Sequence, residues 1–98
     1  MSEVNMRDWA EEMLADENPG ALFMDGLDGA IIGITVSLHA TSGLSVVVYD
    51  EDLIIQELTA EDMSEEDAWD HYGFNIQRCY VGENTPIIVK RPERLTDG

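Results

Sequence analysis

Basic residues are scarce in this sequence. Five Lys and Arg residues stand against 21 Asp and Glu residues, which gives a formal net charge of -16 at pH 7. Such a charge opposes contact with the phosphates of nucleic acids and of anionic lipids. The imbalance is concentrated in residues 1–77, where Arg7 is the only basic residue. Direct binding to nucleic acid or to a membrane surface is therefore not expected.

Cysteines and long apolar runs are also lacking. Cys79 is the only cysteine, so the chain cannot form an intramolecular disulfide or complete a cysteine-based zinc site by itself. No apolar run approaches the roughly 18 residues of a membrane span, and residues 1–5 are acidic where a signal peptide is basic. These absences predict a protein of the cytoplasm, where thiols stay reduced.

Motifs of catalysis and cofactor binding are absent. The sequence has no Gly-x-Ser-x-Gly elbow and no Gly-x-Gly-x-x-Gly fingerprint, and residues 25–29 lack the later ligands of a calcium loop. His71 with Asp67, and also His39 and Cys79, are the residues that could hold a metal. A histidine at the edge of a helical aromatic stripe is the plainer interpretation. We therefore predict no enzyme activity, no metal and no cofactor.

The sequence does contain the pattern of a folded domain, with 44% apolar residues. Apolar residues from Met6 to Leu14 recur on one face of a helix, and Asn5 is suited to cap it. Asp50 and Ser64 are suited to cap two later helices, each followed by acids that favour the start of a helix. The pattern predicts three helices.

Three β-branched runs predict a small sheet. The runs at 30–36 and 44–49 are expected to form neighbouring antiparallel strands, and 85–89 is expected to form the last strand. The fold class is therefore α+β, an antiparallel sheet of about three strands packed with three helices in the order α-β-β-α-α-β. The predicted single domain, 1–98, consists of an N-terminal helix in 1–20, an α+β core in 21–90 and a loose tail in 91–98.

Carboxylates crowd the second and third predicted helices. Six of them are the expected contacts for a partner protein, namely Glu57, Glu61, Glu65, Glu66, Asp67 and Asp70. Rows of carboxylates on rigid helices can imitate nucleic-acid phosphates and attract proteins whose basic grooves bind nucleic acid. A solvated, solubilising surface is the other interpretation and, from charge alone, the plainer one.

A second group of carboxylates falls in predicted loops at the ends of strands and helices. Asp25, Asp28, Asp50 and Glu83 lie there, where catalytic and binding residues are common. Helix capping and turn formation also explain Asp25, Asp28 and Asp50. Because acids are so abundant in this chain, the structural roles are the plainer interpretation.

Short motifs follow one another in a distinctive order between residues 22 and 89. They are Asp25-Gly-Leu-Asp-Gly-Ala-Ile-Ile-Gly33, Val46-Val-Val-Tyr-Asp50, Met63-Ser-Glu-Glu-Asp-Ala68, Tyr72-Gly-Phe-Asn-Ile76 and Val81-Gly-Glu-Asn-Thr-Pro-Ile-Ile-Val89. This order resembles a group of small proteins of tailed phages and prophages. The resemblance implies a phage origin and brings no established activity with it.

The resemblance also marks shared polar and turn positions. They are Asp25, Asp28, Tyr49, Asp50, Asn75, Gly82, Glu83 and Thr85. All except Gly82 are the residues expected to line a pocket if the protein binds a ligand. Residues 35–43 and the pair Arg78-Cys79 depart from the pattern of the group, so no shared binding surface is expected there.

Two functions are compatible with these features. By analogy with acidic phage proteins that lack catalytic motifs, the first is an inhibitor of a host nucleic-acid-handling or defence complex, of the anti-CRISPR or anti-restriction type. It would bind a basic surface through the six helical acids. The alternative is a small-molecule or nucleotide-signal binding module, with a pocket between the subunits of a homodimer as one arrangement. Either protein would act in the host cytoplasm.

Overall fold

The computed structural model describes residues 5–36, 44–76, 82 and 84–92. The elements in chain order are α1 (Met6–Glu17), β1 (Ile31–Ile34), β2 (Val47–Asp50), α2 (Glu51–Thr59), α3 (Glu65–Asn75) and β3 (Ile87–Val89). The predicted α+β class and the order of helices and strands are confirmed. Within this part of the chain, none of the helices has the length and apolar character that a bilayer span requires.

Each helix begins at the polar residue that the sequence assigns as its cap. The side-chain oxygens of Asn5, Asp50 and Ser64 accept hydrogen bonds from N–H groups in the first turns of α1, α2 and α3, at 2.9, 2.9 and 3.1 Å. These N–H groups would otherwise have no partner within the helix, and such a cap stabilises a helix by about 1 kcal/mol. The starting points of all three helices are thus set by local sequence.

The sheet has the strand order β1-β2-β3 and is mixed. β1 runs antiparallel to β2, with Ile34 opposite Val47, as the sequence predicts. β3 runs parallel to β2, with Val48 opposite Ile87, where the sequence predicted antiparallel pairing throughout. The reason is that α2 and α3 lie between β2 and β3 in the chain. Such a helical crossover carries the chain back to the end of the sheet where β2 began.

The strands are shorter than the apolar runs that predicted them. β1 has four residues of the run 30–36, and β3 has three of the run 85–89. Beyond β1, the Thr35 N–H donates to the Val46 carbonyl at 2.9 Å, while the Val46 N–H donates to Thr35 Oγ1 at 3.0 Å. Because a side-chain oxygen replaces a backbone carbonyl in this pair, the regular ladder ends there.

The core lies between the sheet and the helices. Val47 and Tyr49 of β2 and Ile54 of α2 are fully buried, and Leu14 of α1 and Tyr72 of α3 are nearly so. They belong to one apolar cluster, so all three helices pack on the same core. Burying side chains of this size removes about 1.5–3 kcal/mol each of unfavourable contact with water.

Asn18 joins three parts of the chain at the C-terminal end of α1. Its buried side chain donates through Nδ2 to the Ser45 carbonyl at 2.9 Å and to Asn84 Oδ1 at 2.8 Å. Its Oδ1 accepts from the Gly20 N–H at 3.2 Å. These bonds fix the start of the segment 20–27, which leads from α1 across the ends of α2 and α3.

Candidate functional site

α3 presents a strongly acidic surface to solvent. Glu65, Glu66 and Asp67 fill its first turn and Asp70 lies in the next, and all four are exposed. The Ser64 cap and the helix dipole explain why acids are tolerated so densely at this end of a helix. In the described part of the chain, no Lys or Arg lies within ion-pair distance of these carboxylates. Their negative charge is therefore uncompensated by those residues.

Two aromatic side chains are exposed on the same helix. Phe74 is 80% exposed and Trp69 is 40% exposed. Phe74 follows Glu66 and Asp70 at intervals of four residues, which places the three in one row along the helix. We call six exposed residues of α3 the α3 surface, namely Glu65, Glu66, Asp67, Trp69, Asp70 and Phe74. His71 and Asn75 of the same helix are exposed as well, but they line the cleft described below.

Sequence reasoning misjudged the aromatic residues of α3. The spacing of Ala68, Trp69, Tyr72 and Ile76 predicts one apolar stripe on this helix, but among the residues of α3 only Ala68 and Tyr72 are buried. Trp69 stands about 100° around the helix from Ala68, at the margin of the buried side, and packs edge-on against Tyr72 with ring centroids 5.7 Å apart. Phe74 was overlooked, although its four-residue interval from Asp70 would have placed it on the polar side.

The other two predicted partner contacts lie apart from the α3 surface. Glu57 is partly buried on α2, and its carboxylate covers Gly29 so closely that a Cβ at that position would overlap it. Glu61 follows α2 and lines a cleft. The structure therefore places on one helix only four of the six acids, namely Glu65, Glu66, Asp67 and Asp70.

The described basic residues are bound to other acids. Arg7 contacts Glu11 at 2.8 Å and Asp28 at 3.0 Å. Lys90 and Arg91, which follow β3, pair with the two acids at the junction of β2 and α2, at 3.3 and 2.6 Å. Each of these three bases is paired with an acid outside α3, so none of them neutralises the α3 carboxylates.

The cleft opens between the segment 22–27, the C-terminal ends of α2 and α3, and residues 85–86, with a volume of about 480 Å³. Apolar side chains that line it include Leu22, Phe23, Met24, Leu58, Ile76 and Pro86. Polar residues that line it are Asp25, Glu61, His71, Asn75 and Thr85. An apolar wall with a few polar groups is typical of sites for small molecules.

Two hydrogen bonds hold the wall of the cleft in place. The Met24 N–H donates to the Tyr49 hydroxyl at 2.8 Å, and the Leu22 N–H donates to the Asn84 carbonyl at 3.2 Å. Burial raises the pKa of Tyr49, an effect that the bond from Met24 opposes without reversing. Tyr49 therefore stays a neutral phenol that supports the cleft from the core.

Three of the seven predicted pocket residues line this cleft, namely Asp25, Asn75 and Thr85. Asn75 donates through Nδ2 to the His71 carbonyl at 3.2 Å, and Thr85 donates its hydroxyl hydrogen to the Gly82 carbonyl at 2.7 Å. The sequence pattern thus found part of the cleft. It did not find Glu61 or His71 there, because only the packing of α2 against α3 brings those positions to the segment 22–27.

Three other predicted pocket residues are described, and none of them lines the cleft. Asp28 pairs with Arg7, Tyr49 is fully buried, and Asp50 caps α2. Glu83 lies outside the described residues, as do the metal candidates His39 and Cys79. Asp67 and His71 are described, and among the described residues no three His, Cys, Asp or Glu side chains form a group that could hold a metal ion.

Asp50 is a buried carboxylate, 1% exposed, that joins the ends of β2 and β3. It accepts hydrogen bonds from Arg91 Nε at 2.6 Å and from the Leu53 N–H at 2.9 Å. Burial alone would raise the pKa of Asp50, but these two bonds and the Arg91 charge outweigh burial and lower the pKa below its ordinary 3.8. Arg91, the first residue of the predicted loose tail, is thus held, while residues 93–98 lie outside the described residues.

Changing Asp50 to Asn lowers the free energy of unfolding by about 1.5–3 kcal/mol at pH 7, because the charged hydrogen bond to Arg91 is lost. Since the pKa of Asp50 is lowered by folding, its stabilising effect is present above pH 3.8 and is lost as the pH falls through the pKa of the folded state. Urea unfolding between pH 7 and pH 3 measures the difference. Asp52→Asn, the same change in the first turn of the helix that Asp50 caps, is the control. A stability difference between wild type and Asp50→Asn that is as large at pH 3 as at pH 7 would contradict the ion pair.

Glu51 is a second buried acid, 6% exposed, at the start of α2. It accepts a hydrogen bond from the Tyr72 hydroxyl at 2.8 Å and pairs with Lys90 Nζ at 3.3 Å. Burial, followed by the contact with Glu51, raises the pKa of Tyr72 far above its ordinary value, so the phenol remains a donor. These residues line a smaller cavity of about 250 Å³ that shares Met24, Ile76 and Pro86 with the cleft.

The geometry defines a class of protein, a small acidic α+β domain that exposes an acidic, aromatic helix next to an apolar cleft. Comparison of the chain with protein-family models, curated proteins and solved structures found no match. The function must therefore be argued from the chain's own residues.

Proposed function

We propose that this protein is an acidic, phage-encoded binding protein that inhibits a host nucleic-acid-handling or defence complex, of the anti-CRISPR or anti-restriction type. In this proposal the α3 surface occupies a basic groove that otherwise binds nucleic acid, in the host cytoplasm. The observation that carries the proposal is the combination on α3 of two exposed aromatic rings with four exposed carboxylates that form no ion pair with a described Lys or Arg.

The charge of the region supports electrostatic docking. Residues 51–75 contain nine acids and no Lys or Arg, and the acids of α3 stand on a rigid helix with a rise of about 1.5 Å per residue. Fixed charges of one sign attract an oppositely charged surface over about 8–10 Å at physiological salt. A partner with a basic groove would therefore be oriented before contact, as it is by nucleic acid.

The aromatic residues distinguish docking from solubilisation. A solubilising surface needs charge and is weakened by large exposed apolar side chains. Phe74 nonetheless exposes 80% of its surface within the acidic row. Exposed aromatic residues are enriched among the side chains that contribute most to protein interfaces. We therefore favour docking over the solubilising interpretation.

Capture followed by salt titration tests this proposal. The chain is immobilised and exposed to nuclease-treated host lysate, and the protein retained, hereafter the captured partner, is purified. We expect its affinity to fall on the order of tenfold between about 0.05 and 0.3 M salt, because screening weakens the attraction. A partner whose affinity does not change over this range would contradict a charge-driven interface.

A second candidate function is a small-molecule or nucleotide-signal binding module. The observation that favours it is the cleft, which gathers Asp25, Asn75 and Thr85 at an apolar wall. His71 and Asn75 of α3 line the cleft, but none of the six residues of the α3 surface does, so different substitutions test the two functions.

A further inference from the structure

The charge of the cleft selects against anions. Asp25 and Glu61 line it, both are exposed, and neither carboxylate forms a hydrogen bond or ion pair with a described residue. No Lys or Arg of the described chain lines the cleft. A phosphate or carboxylate ligand would meet two like charges, whereas a cation would be attracted by both. The nucleotide form of the second candidate function is therefore disfavoured.

The hydrogen-bonding groups of the cleft also favour a ligand that donates. Asn75 uses Nδ2 as a donor to the His71 carbonyl, and Thr85 gives its hydroxyl hydrogen to Gly82. Asn75 Nδ2 also lies within hydrogen-bond distance of His71 Nδ1, at 3.3 Å. The ionised carboxylates of Asp25 and Glu61 only accept hydrogen bonds, so the lining presents these acceptors to a ligand. Ammonium and guanidinium groups are pure donors and complement such a lining.

The apolar wall has room for more than a cationic head group. Met24, Ile76 and Pro86 line both the cleft and the neighbouring cavity of about 250 Å³. In that cavity Glu51 is already paired with Lys90 and bonded to Tyr72, so it adds no further uncompensated charge to those of Asp25 and Glu61. The shared residues therefore offer a continuous apolar surface next to the acidic rim.

We infer that the cleft binds a small organic cation, with an ammonium or guanidinium head at Asp25 and Glu61 and an apolar body on Met24, Ile76 and Pro86. This inference rests on the second candidate function and is independent of docking by the α3 surface. It names the chemistry of the ligand, an amphiphilic amine or guanidine.

Three probes of one shape test the inference. Phenylbutylammonium, phenylbutanol and phenylbutanoate share a ring and a chain and differ in the charge of the head group. Each is titrated into the isotope-labelled full chain, and backbone amide shifts are followed by NMR. We expect saturable shifts in residues 22–27 and 75–76, with the cation bound about tenfold more tightly than the alcohol and the anion bound most weakly.

Two double variants test whether Asp25 and Glu61 cause the preference for a cation. Asp25→Asn combined with Glu61→Gln is expected to weaken binding of the cation about tenfold. The affinity for the alcohol is expected to stay within about twofold of the wild-type value. Both side chains are exposed and without described partners, so the fold should tolerate the change. Glu12→Gln combined with Asp16→Asn, on the exposed side of α1, makes the same change in net charge away from the cleft and is expected to leave all three affinities unaltered.

The possible failures are distinguishable. Absence of saturable binding by all three probes would overturn both this inference and the second candidate function. Equal binding of the cation, alcohol and anion, or an unchanged cation affinity in the Asp25/Glu61 variant, would leave a ligand site but overturn its preference for cations. None of these results bears on capture of a partner by the α3 surface.

Discussion

Changing Glu66, Asp67 and Asp70 together to Gln, Asn and Asn weakens binding to the captured partner by about 100-fold at low salt. The three carboxylates are exposed and form no ion pair with a described residue, so their removal breaks none of the described salt bridges. What the variant loses is the negative charge that the proposal directs at the basic groove. Isothermal titration of the purified pair at about 0.05 M salt measures the loss.

The matched control neutralises three acids of α1, in Glu12→Gln, Asp16→Asn and Glu17→Gln. This variant has the same net charge as the α3 variant, and its altered side chains are equally exposed. We expect it to bind within about threefold of wild type. The loss of acids near the start of α3 costs up to about 1 kcal/mol of helix stability each, so urea unfolding of both variants must accompany the titration. Equal weakening by the two variants would indicate a nonspecific effect of net charge.

Phe74→Ala weakens binding to the captured partner by about 30-fold while leaving the fold intact. The ring is 80% exposed, so its removal changes the free energy of unfolding by less than about 0.5 kcal/mol. An aromatic residue that becomes buried at the centre of an interface typically contributes about 2 kcal/mol or more to binding. The same titration measures the affinity, and thermal unfolding measures the stability.

Met13→Ala is the control for this second change. Met13 is another large apolar side chain on a helix, 43% exposed, and it lies on α1 outside the α3 surface. Its removal is expected to leave the affinity unaltered. If Phe74→Ala binds as wild type does, the ring is an incidental exposed residue and the argument against a solubilising surface is lost.

Local features of the fold could be predicted from the sequence, because they depend on neighbouring residues. Asn5, Asp50 and Ser64 were assigned as caps from their residue type and from the acids that follow them, and each caps its helix. The antiparallel pairing of β1 with β2 was predicted from two adjacent β-branched runs.

Features that depend on distant parts of the chain could not be predicted in the same way. The parallel pairing of β3 follows from the path of the chain through α2 and α3. Tyr49 and Asp50 were named as residues of a pocket, and neither lines the cleft, for a related reason, although Asp50 caps α2 as predicted. Both are polar groups at the end of a strand, and only the positions of Met24 and Arg91 show that each is used within the fold.

The same difference between local features and features set by distant parts of the chain applies to the two candidate sites. The acids of α3 share a surface because they share one helix, which sequence spacing can show. Glu57 and Glu61 belong to the same acidic run in the sequence, but packing places the first over Gly29 and the second at the cleft. Sequence pattern therefore identified the α3 surface better than it identified the cleft.

Competition with nucleic acid tests the central claim most directly. Labelled duplex DNA is bound to the captured partner at about 0.1 M salt, and the chain is added while the anisotropy of the DNA is followed. The account predicts that wild type displaces the DNA completely, that the α1 variant does the same, and that the α3 variant requires about 100-fold more protein. A stable ternary complex of partner, DNA and wild-type chain would show that the α3 surface does not occupy the nucleic-acid groove.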